Sequence, residues 1–528
     1  MSRTPSFRQL ILDFRLAMHS AESGTPIEEC LEERRTEISR RGLIKGAGAL
    51  ALTTALPRPI LAATAKTYDV GIVGAGLAGL VCANELKRAG VLARVYEASD
   101  RTGGRQWSLS GLFPGQVVER GGELIDNLHK TMIGYAREFG LTLEDVNKVP
   151  GEVLYYFGSK RHSESEVVRE YRAFVEVMRV DLTKLSGGPT ALSSNEYDRQ
   201  LDKISLAEYL AGNNGAKKAA GPIATAAISE CYKAEYGLDA SQQSCLNFLM
   251  FIHADRRARF QPWGVFSDER YHVVEGNDKI AAGLTAKIQG QIELDRTLVK
   301  VAKNSAGKIA LTFTNGKSTI VKTHDQVVLT LPFTVLRKLT LDPSLMLSPA
   351  KLNAINQLGY GDNAKMMIGF KGRPWAHIGC NGASYSDLMN HQTTWETNPT
   401  KATANSSVIT DYASAERGAR FDPKNDQMEA LRFLVDFEKV VPNASSKVAP
   451  NADGSLRVHM EAWPRNPLSR GSYTCYRPGQ FTTIAGLEGL PEGNLYFGGE
   501  HTNSFYEWQG FMEGACLSGI ATAKSILK

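Results

Sequence analysis

The stretch Tyr68-Asp-Val-Gly-Ile-Val-Gly-Ala-Gly-Leu-Ala-Gly79 decides the fold. Its first half, Tyr68 to Val73, is a short apolar run with β-branched residues, the pattern of a strand buried in a parallel sheet. It runs straight into Gly74-Ala75-Gly76-Leu-Ala-Gly79. A helical pattern follows (Leu77, Leu80, Val81, Ala83, Leu86) and stops at Gly90. Ala93-Arg-Val-Tyr-Glu97 then reads as a second strand ending in a carboxylate. Strand, GxGxxG, helix, strand and an acid about 20 residues on make up the βαβ context of a dinucleotide site. The glycines let the backbone approach a pyrophosphate, whose charge meets the N–H groups at the helix start. Glu97 is placed to accept hydrogen bonds from a ribose diol. The fold class predicted is α/β, with a Rossmann-like domain.

Working outward, the chain continues as Glu97-Ala98-Ser-Asp-Arg101-Thr-Gly103-Gly104-Arg105. Two glycines flanked by arginines offer N–H groups and guanidinium forks to a second diphosphate face, an element nicotinamide enzymes do not need. Further on come Val118-Glu-Arg-Gly121-Gly122-Glu123, and near the end Leu495-Tyr-Phe-Gly498-Gly499-Glu500-His501-Thr502 and Gly510-Phe511-Met512-Glu513-Gly514-Ala515. These four segments resemble the fingerprints of the flavin-containing amine oxidase family. The likeness covers most of residues 67–528 and is diffuse only between about 130 and 260.

The resemblance implies noncovalent FAD held by Gly74, Ala75, Gly76, Gly79, Glu97, Ala98, Arg101, Gly104, Arg105, Gly121, Gly122, Glu123, Gly499, Glu500 and Met512. It adds Leu298, with Val299 as the fallback, as the residue that meets the adenine. The N-terminus of the last helix would point at the pyrimidine edge of the flavin, where its positive end favours the reduced, anionic ring. Leu358-Gly359-Tyr-Gly361-Asp-Asn-Ala-Lys365 looks like the family's turn carrying a lysine that holds a water against flavin N5, which makes Lys365 a catalytic candidate. Tyr473 and Phe511 correspond to the two walls of an aromatic cage that orients an amine. Where monoamine oxidases carry a flavin-linked cysteine this chain has Ser472, and Cys475 is out of register.

The same likeness frames the substrate. L-Amino acid oxidases place an arginine near the second glycine pair to clamp the carboxylate, and Leu124 stands there instead. Glu123 and Asp126 favour a cationic substrate or are solvated loop acids. Arg373 or Arg465 could still bind a carboxylate. The expected reaction moves a hydride from an amine α C–H to the flavin, with the imine hydrolysed and O2 reduced to H2O2. An L-amino acid oxidase is the alternative. Flavin desaturases and porphyrinogen oxidases share the plan, and a secreted FAD-binding subunit is the non-enzymatic reading. His129, His272 and His501 read as structural residues.

Composition bounds these readings. The chain has 528 residues, 42% hydrophobic and 22% charged, with a net charge of +5 and no basic block, so nothing points to nucleic acid. Seven scattered cysteines without CxxC spacing argue against a zinc site or a disulfide framework. Ser39-Arg40-Arg41-Gly-Leu-Ile-Lys45, the weakly apolar stretch 46–56 and Ala63-Thr-Ala65 have the layout of a twin-arginine export signal, too short for a membrane span. Residues 1–65 are thus expected to be an extension plus leader outside the fold, cleaved near Ala65 after the translocase carries the folded protein to the periplasm or beyond. The segment 1–38 is long for the start of such a leader. The FAD domain is expected from 67–125, 271–332 and 469–528, and a substrate domain with a helical lobe from 126–270 and 333–468. A homodimer is compatible with all of this.

Overall fold

The computed structural model describes residues 4–44, 68–255, 268–403 and 405–528. At its centre β1 (Val70–Val73), buried throughout, pairs in parallel with β2 (Ala93–Tyr96) on one side and with the strand Gln326–Leu329 on the other. Leu495–Phe497 adds beyond 326–329 and Ile292–Glu293 beyond β2, giving a five-stranded all-parallel sheet. The helix Leu77–Arg88 crosses from β1 to β2, as the sequence pattern predicts. The C-terminal helix Met512–Leu527 packs on it backbone to backbone: a Cβ on Gly519 would lie 2.5 Å from the Ala78 carbonyl. The chain thus leaves this sheet after residues 96, 293 and 329 and returns to it each time. A four-stranded sheet built from 297–303, 309–314, 319–324 and 340–341 lies beside it in the chain path.

The second large sheet has seven strands, and the strand Ala364–Phe370 is buried at every residue between Ser407–Ala413 and Val458–Ala462. Lys365 sits in this strand opposite Tyr412 and Glu461. A charged residue in a strand buried on both faces needs partners, and those partners define the site below. The far edge of the sheet is the pair Glu152–Phe157 and Lys160–His162. The helical reading of residues 126–270 missed this pair. Five helices do fill most of that stretch between 164 and 255. Val153, Tyr155 and Phe157 carry the short strand alternation, but five apolar residues in a row (Val153 to Phe157) blurred it.

The N-terminus corrects a larger expectation. Residues 1–65 were to lie outside the fold, yet α1 (Pro5–Ser23) and α2 (Ile27–Ile44) are part of it. Thr4 caps α1 by accepting from the Phe7 N–H at 3.2 Å, Pro5 sits in the first turn, and Gly24 closes the helix at φ +75°. Phe7, Leu10, Ile11, Phe14 and Ala17 are buried, against the helices Glu164–Leu182 and Pro222–Tyr236. Phe14 stacks on Tyr171 at 4.2 Å, and Phe7 meets Tyr232 and Phe251 edge-on. Each such side chain contributes about 1.5–3 kcal/mol on leaving water. The fully buried Asp13 accepts from Tyr155 Oη at 2.7 Å and Gln9 Nε2 at 2.6 Å, and Arg34 approaches it at 3.7 Å. The apolar spacing of Phe7, Leu10, Ile11, Phe14 and Ala17 is that of a helix with one buried face. Arg40 and Arg41 fall in the last turns of α2, and the rest of the proposed leader, from residue 45 on, lies outside the described residues. Among the described residues no helix is long and apolar enough to cross a membrane.

Candidate active site

A cavity of about 400 Å³ extends from the glycine loop after β1 to Lys365. Its wall holds Gly74, Gly76, Glu97, Ala98, Arg101, Gly104, Arg105, Gly121, Gly122, Glu123, Leu298, Lys365, Tyr473, Gly499, Glu500, Phe511 and Met512. Of the residues that the resemblance assigns to the flavin, the lysine position and the aromatic cage, Ala75 and Gly79 alone are not on it. Ala75 donates its N–H to Glu97 Oε2 at 2.7 Å and accepts from the Gly103 N–H at 2.8 Å, tying the two glycine elements together. Gly79 lets the helix close on the loop, since a Cβ there would lie 1.9 Å from the Gly74 carbonyl.

This end fits a dinucleotide. A Cβ on Gly76, which lines the cavity, would meet no atom within 4 Å, so the space beside the helix start is open for a pyrophosphate. The other Glu97 oxygen accepts from the Ser99 N–H and hydroxyl, each at 3.0 Å, which fixes the carboxylate on the cavity wall. Leu298 is buried on the cavity wall, while Val299 is 37% exposed and not on it. Arg105 donates to Glu500 Oε1 at 3.1 Å and to the Ser472 carbonyl, and Thr474 donates to Glu500 Oε2 at 3.0 Å. That network joins the N-terminal and C-terminal fingerprints. Arg101 turns to the Gly104 carbonyl at 2.6 Å and lies 3.9 Å over the Trp107 ring.

At the other end the chain narrows around Gly121 and Gly122. A Cβ on Gly121 would lie 1.8 Å from the Arg105 carbonyl, and one on Gly122 2.8 Å from Met512 Sδ. Met512 and Ala515 bring the first turn of the C-terminal helix to the wall, so its positive end faces the cavity. Lys365 Nζ donates to Glu123 Oε2 at 2.6 Å, to the Gly121 carbonyl at 2.7 Å and to the Glu119 carbonyl at 3.2 Å. An ammonium has three donors, and all three are engaged, so a water held by Lys365 takes the place of one of these partners. Glu123 Oε1 accepts from Trp395 Nε1 at 2.8 Å. Glu123 is therefore a compensated carboxylate rather than a free anion on the wall. Behind it, burial pushes the Glu119 carboxyl up to about 7, although it accepts from the Asn277 N–H and Ser108.

Aromatic side chains complete this end: Tyr473, Phe511, Trp395 and Tyr412, with Trp463 beside Gly121. Tyr412 and Tyr473 share a hydroxyl–hydroxyl hydrogen bond of 2.9 Å, and Trp395 meets Tyr412 edge-on at 5.3 Å. Sequence reasoning missed Trp395 and Tyr412 because each sits in a strand with no motif around it, and only the register of the sheet brings them to Lys365. Leu124 is on the cavity wall. Asp126 is turned away, accepting from the N–H groups of Leu128 and Asp268. Arg373 pairs with Glu396 at 2.9 Å, and Arg465 reaches Asp422 and the Arg420 carbonyl, so neither lies on this wall. Burial lowers His129 to about 4 and His501 well below its usual value, keeping both rings neutral. All seven cysteines are buried thiols, and Cys475 is not on the cavity wall.

A discontinuous parallel sheet carrying a dinucleotide cradle, joined to a buried lysine in an aromatic chamber, defines an FAD-dependent oxidoreductase. Residues 77–527 match the family of flavin containing amine oxidoreductases, and the chain belongs to that family. It is similar to the putative L-amino-acid oxidase YobN of Bacillus subtilis, 23% identical over 88% of this chain and 96% of that protein. The L-amino-acid oxidase of Naja atra is 22% identical over 95% of this chain and 93% of its own length. Among solved structures, the putrescine-bound putrescine oxidase superposes with a TM-score of 0.70 at 18% identity, covering 87% of this chain and 99% of that one. Cyclohexylamine oxidase from Brevibacterium oxydans gives a TM-score of 0.71 at 18% identity with the same coverage.

Proposed function

We propose that this enzyme oxidises a small amine at the carbon bearing the nitrogen, with noncovalent FAD and with O2 as the final acceptor. The balance is RCH2NH2 + O2 + H2O → RCHO + NH3 + H2O2. The observation that carries this reading is the chamber in which Lys365 and aromatic walls meet the Gly121–Gly122 edge. Bound FAD supplies the two-electron acceptor. The chain's own residues then bind, orient and exclude water. Tyr473, Tyr412 and Trp395 are fixed by their hydrogen bonds, so the chamber is preorganised and pins the amine between flat apolar faces. The Lys365–Glu123 pair places a positive and a negative charge side by side beneath them. Because the two charges compensate each other, an amine is not drawn into a fixed ion pair with Glu123. Ser472 in place of a cysteine supports noncovalent attachment.

The second reading, an L-amino acid oxidase, is favoured by the two relatives named above and opposed by Leu124 on the wall. Peroxide release from full-length holoenzyme, assayed with monoamines, diamines, polyamines and L-amino acids, separates the two. Amines alone as substrates support the first reading; L-amino acids alone overturn it. Export through the twin-arginine route, with cleavage near Ala65, stands as a separate proposal. Cleavage would leave α1 and α2 held to the lobe by noncovalent contacts alone, so the intact mass of exported protein and its N-terminal sequence are the tests.

A further inference from the structure

Behind the cavity wall, one buried polar network touches both segments that carry the aromatic faces Tyr473 and Phe511. Tyr476, three residues past Tyr473, is fully buried. Its hydroxyl donates to Glu488 Oε1 and accepts from Gln509 Nε2 at 2.9 Å. Gln509, two residues before Phe511, also donates to the His501 carbonyl at 3.1 Å. Glu488 and Gln509 are buried as well, and none of these three side chains lines the cavity. The anchor beneath them is held in turn. Glu488 Oε2 accepts from the Gly486 N–H at 2.7 Å, and Lys351 Nζ donates to the Leu487 and Glu488 carbonyls at 2.7 Å each.

Taking a carboxylate, a phenol and an amide out of water costs free energy unless each is hydrogen-bonded, and apolar packing would fill the same space without that cost. What a satisfied polar network supplies in exchange is a fixed length and direction between the groups it joins. Such a tie is needed at this place. Neither 473–476 nor 503–511 belongs to a helix or a strand, so no backbone ladder sets the spacing of the two segments. Gly510, at φ +86°, is the single residue between Gln509 and Phe511 and leaves that side free to turn.

We propose that Gln509, clamped by the Tyr476 hydroxyl on its Glu488 anchor, is a positioning residue that sets the gap between the Tyr473 and Phe511 walls and thereby selects flat amines over bulky ones. This rests on the amine-oxidation reading and names the shape its substrate takes. The bond from Gln509 to Tyr476 joins the two wall segments to each other, and the bond from Tyr476 to Glu488 joins both to the body of the protein.

The test uses full-length, FAD-loaded protein titrated with 2-phenylpropan-2-amine and with 1-adamantanamine, read by the change each causes in the flavin's visible absorbance. Both are cations with no hydrogen on the carbon bearing nitrogen, so neither is turned over; one presents a flat ring and the other a globular cage. The parent is expected to prefer the flat amine by at least about tenfold. Tyr476→Phe and Gln509→Met each remove one side of the clamp and should cancel most of that preference with flavin content kept. Glu488→Gln retains an acceptor for the hydroxyl and should keep the preference within about twofold. In turnover, the same two clamp variants should shift the ratio of KM for benzylamine to KM for cyclohexylamine by about tenfold and leave kcat within about twofold. No preference in the parent, or a preference unchanged in a clamp variant that keeps its flavin, overturns the proposal. Loss of flavin from both clamp variants also overturns it, because the bond would then hold the fold rather than the gap. If no amine reduces the flavin, the amine-oxidation reading fails, whereas the titration with the two unreactive amines still scores the clamp.

Discussion

The dinucleotide cradle and the aromatic chamber share one cavity but are built in opposite ways. The cradle is made of contiguous runs, 74–79, 97–105 and 121–123, closed by 498–500, and it works through backbone N–H groups and the absence of side chains. The chamber is made of single side chains, Lys365, Trp395, Tyr412, Tyr473 and Phe511, each from a different element. Backbone chemistry requires glycine at fixed local spacing, so it leaves a motif. Side-chain chemistry requires only that the fold deliver one group to one place, and it leaves none.

The first way to break this comparison is to put a side chain into the cradle. Gly79→Val would set carbon against the Gly74 carbonyl, where even a Cβ would lie at 1.9 Å. The purified variant is expected to have lost its flavin, seen as loss of the visible absorbance. A variant that keeps full flavin content would show that the cradle tolerates bulk. Next in size is the N-terminal helix. Phe14→Ala removes a stacked ring from the core and should lower stability by about 3–5 kcal/mol in denaturant unfolding. An unchanged midpoint would return α1 to the status of an appendage.

On the chamber side, Lys365→Met leaves Glu123 without its cation. Amine-driven flavin reduction should slow by roughly a hundredfold, as for loss of one preorganised electrostatic group. Flavin content should be kept, and that contrast with Gly79→Val separates the two regions. The smallest effect concerns Glu119. Its folded carboxyl holds a proton up to about pH 7, against about 4.5 unfolded, so it costs stability as pH rises between those values. Glu119→Gln cannot ionise. Its thermal midpoint relative to the parent should therefore climb from pH 4.5 to pH 7 and level off above. A constant difference across that range would remove the assignment.

What was legible in the sequence follows from the same contrast. The parallel sheet and the glycine segments that line the cavity were readable because glycine spacing and strand periodicity are local. Lys365 was placed through its neighbouring glycine turn rather than through any property of its own. Trp395 and Tyr412 were missed, since their role depends on which strands pair. Asp126 looked like a substrate-facing acid and is instead spent on the N–H groups of Leu128 and Asp268. Residues 4–35 were misassigned for a different reason. The arginine pair and the small-residue run that follow suggested a leader, and that outweighed an amphipathic pattern at Phe7, Leu10, Ile11 and Phe14 that was there to be read.

The most direct test of the central claim is anaerobic mixing of the holoenzyme with a panel of amines and acid-bearing amines, following the flavin's visible absorbance. Bleaching by at least one amine, and by none of the matched alcohols, is the result predicted. A flavin that stays oxidised with every amine and amino acid would contradict the account.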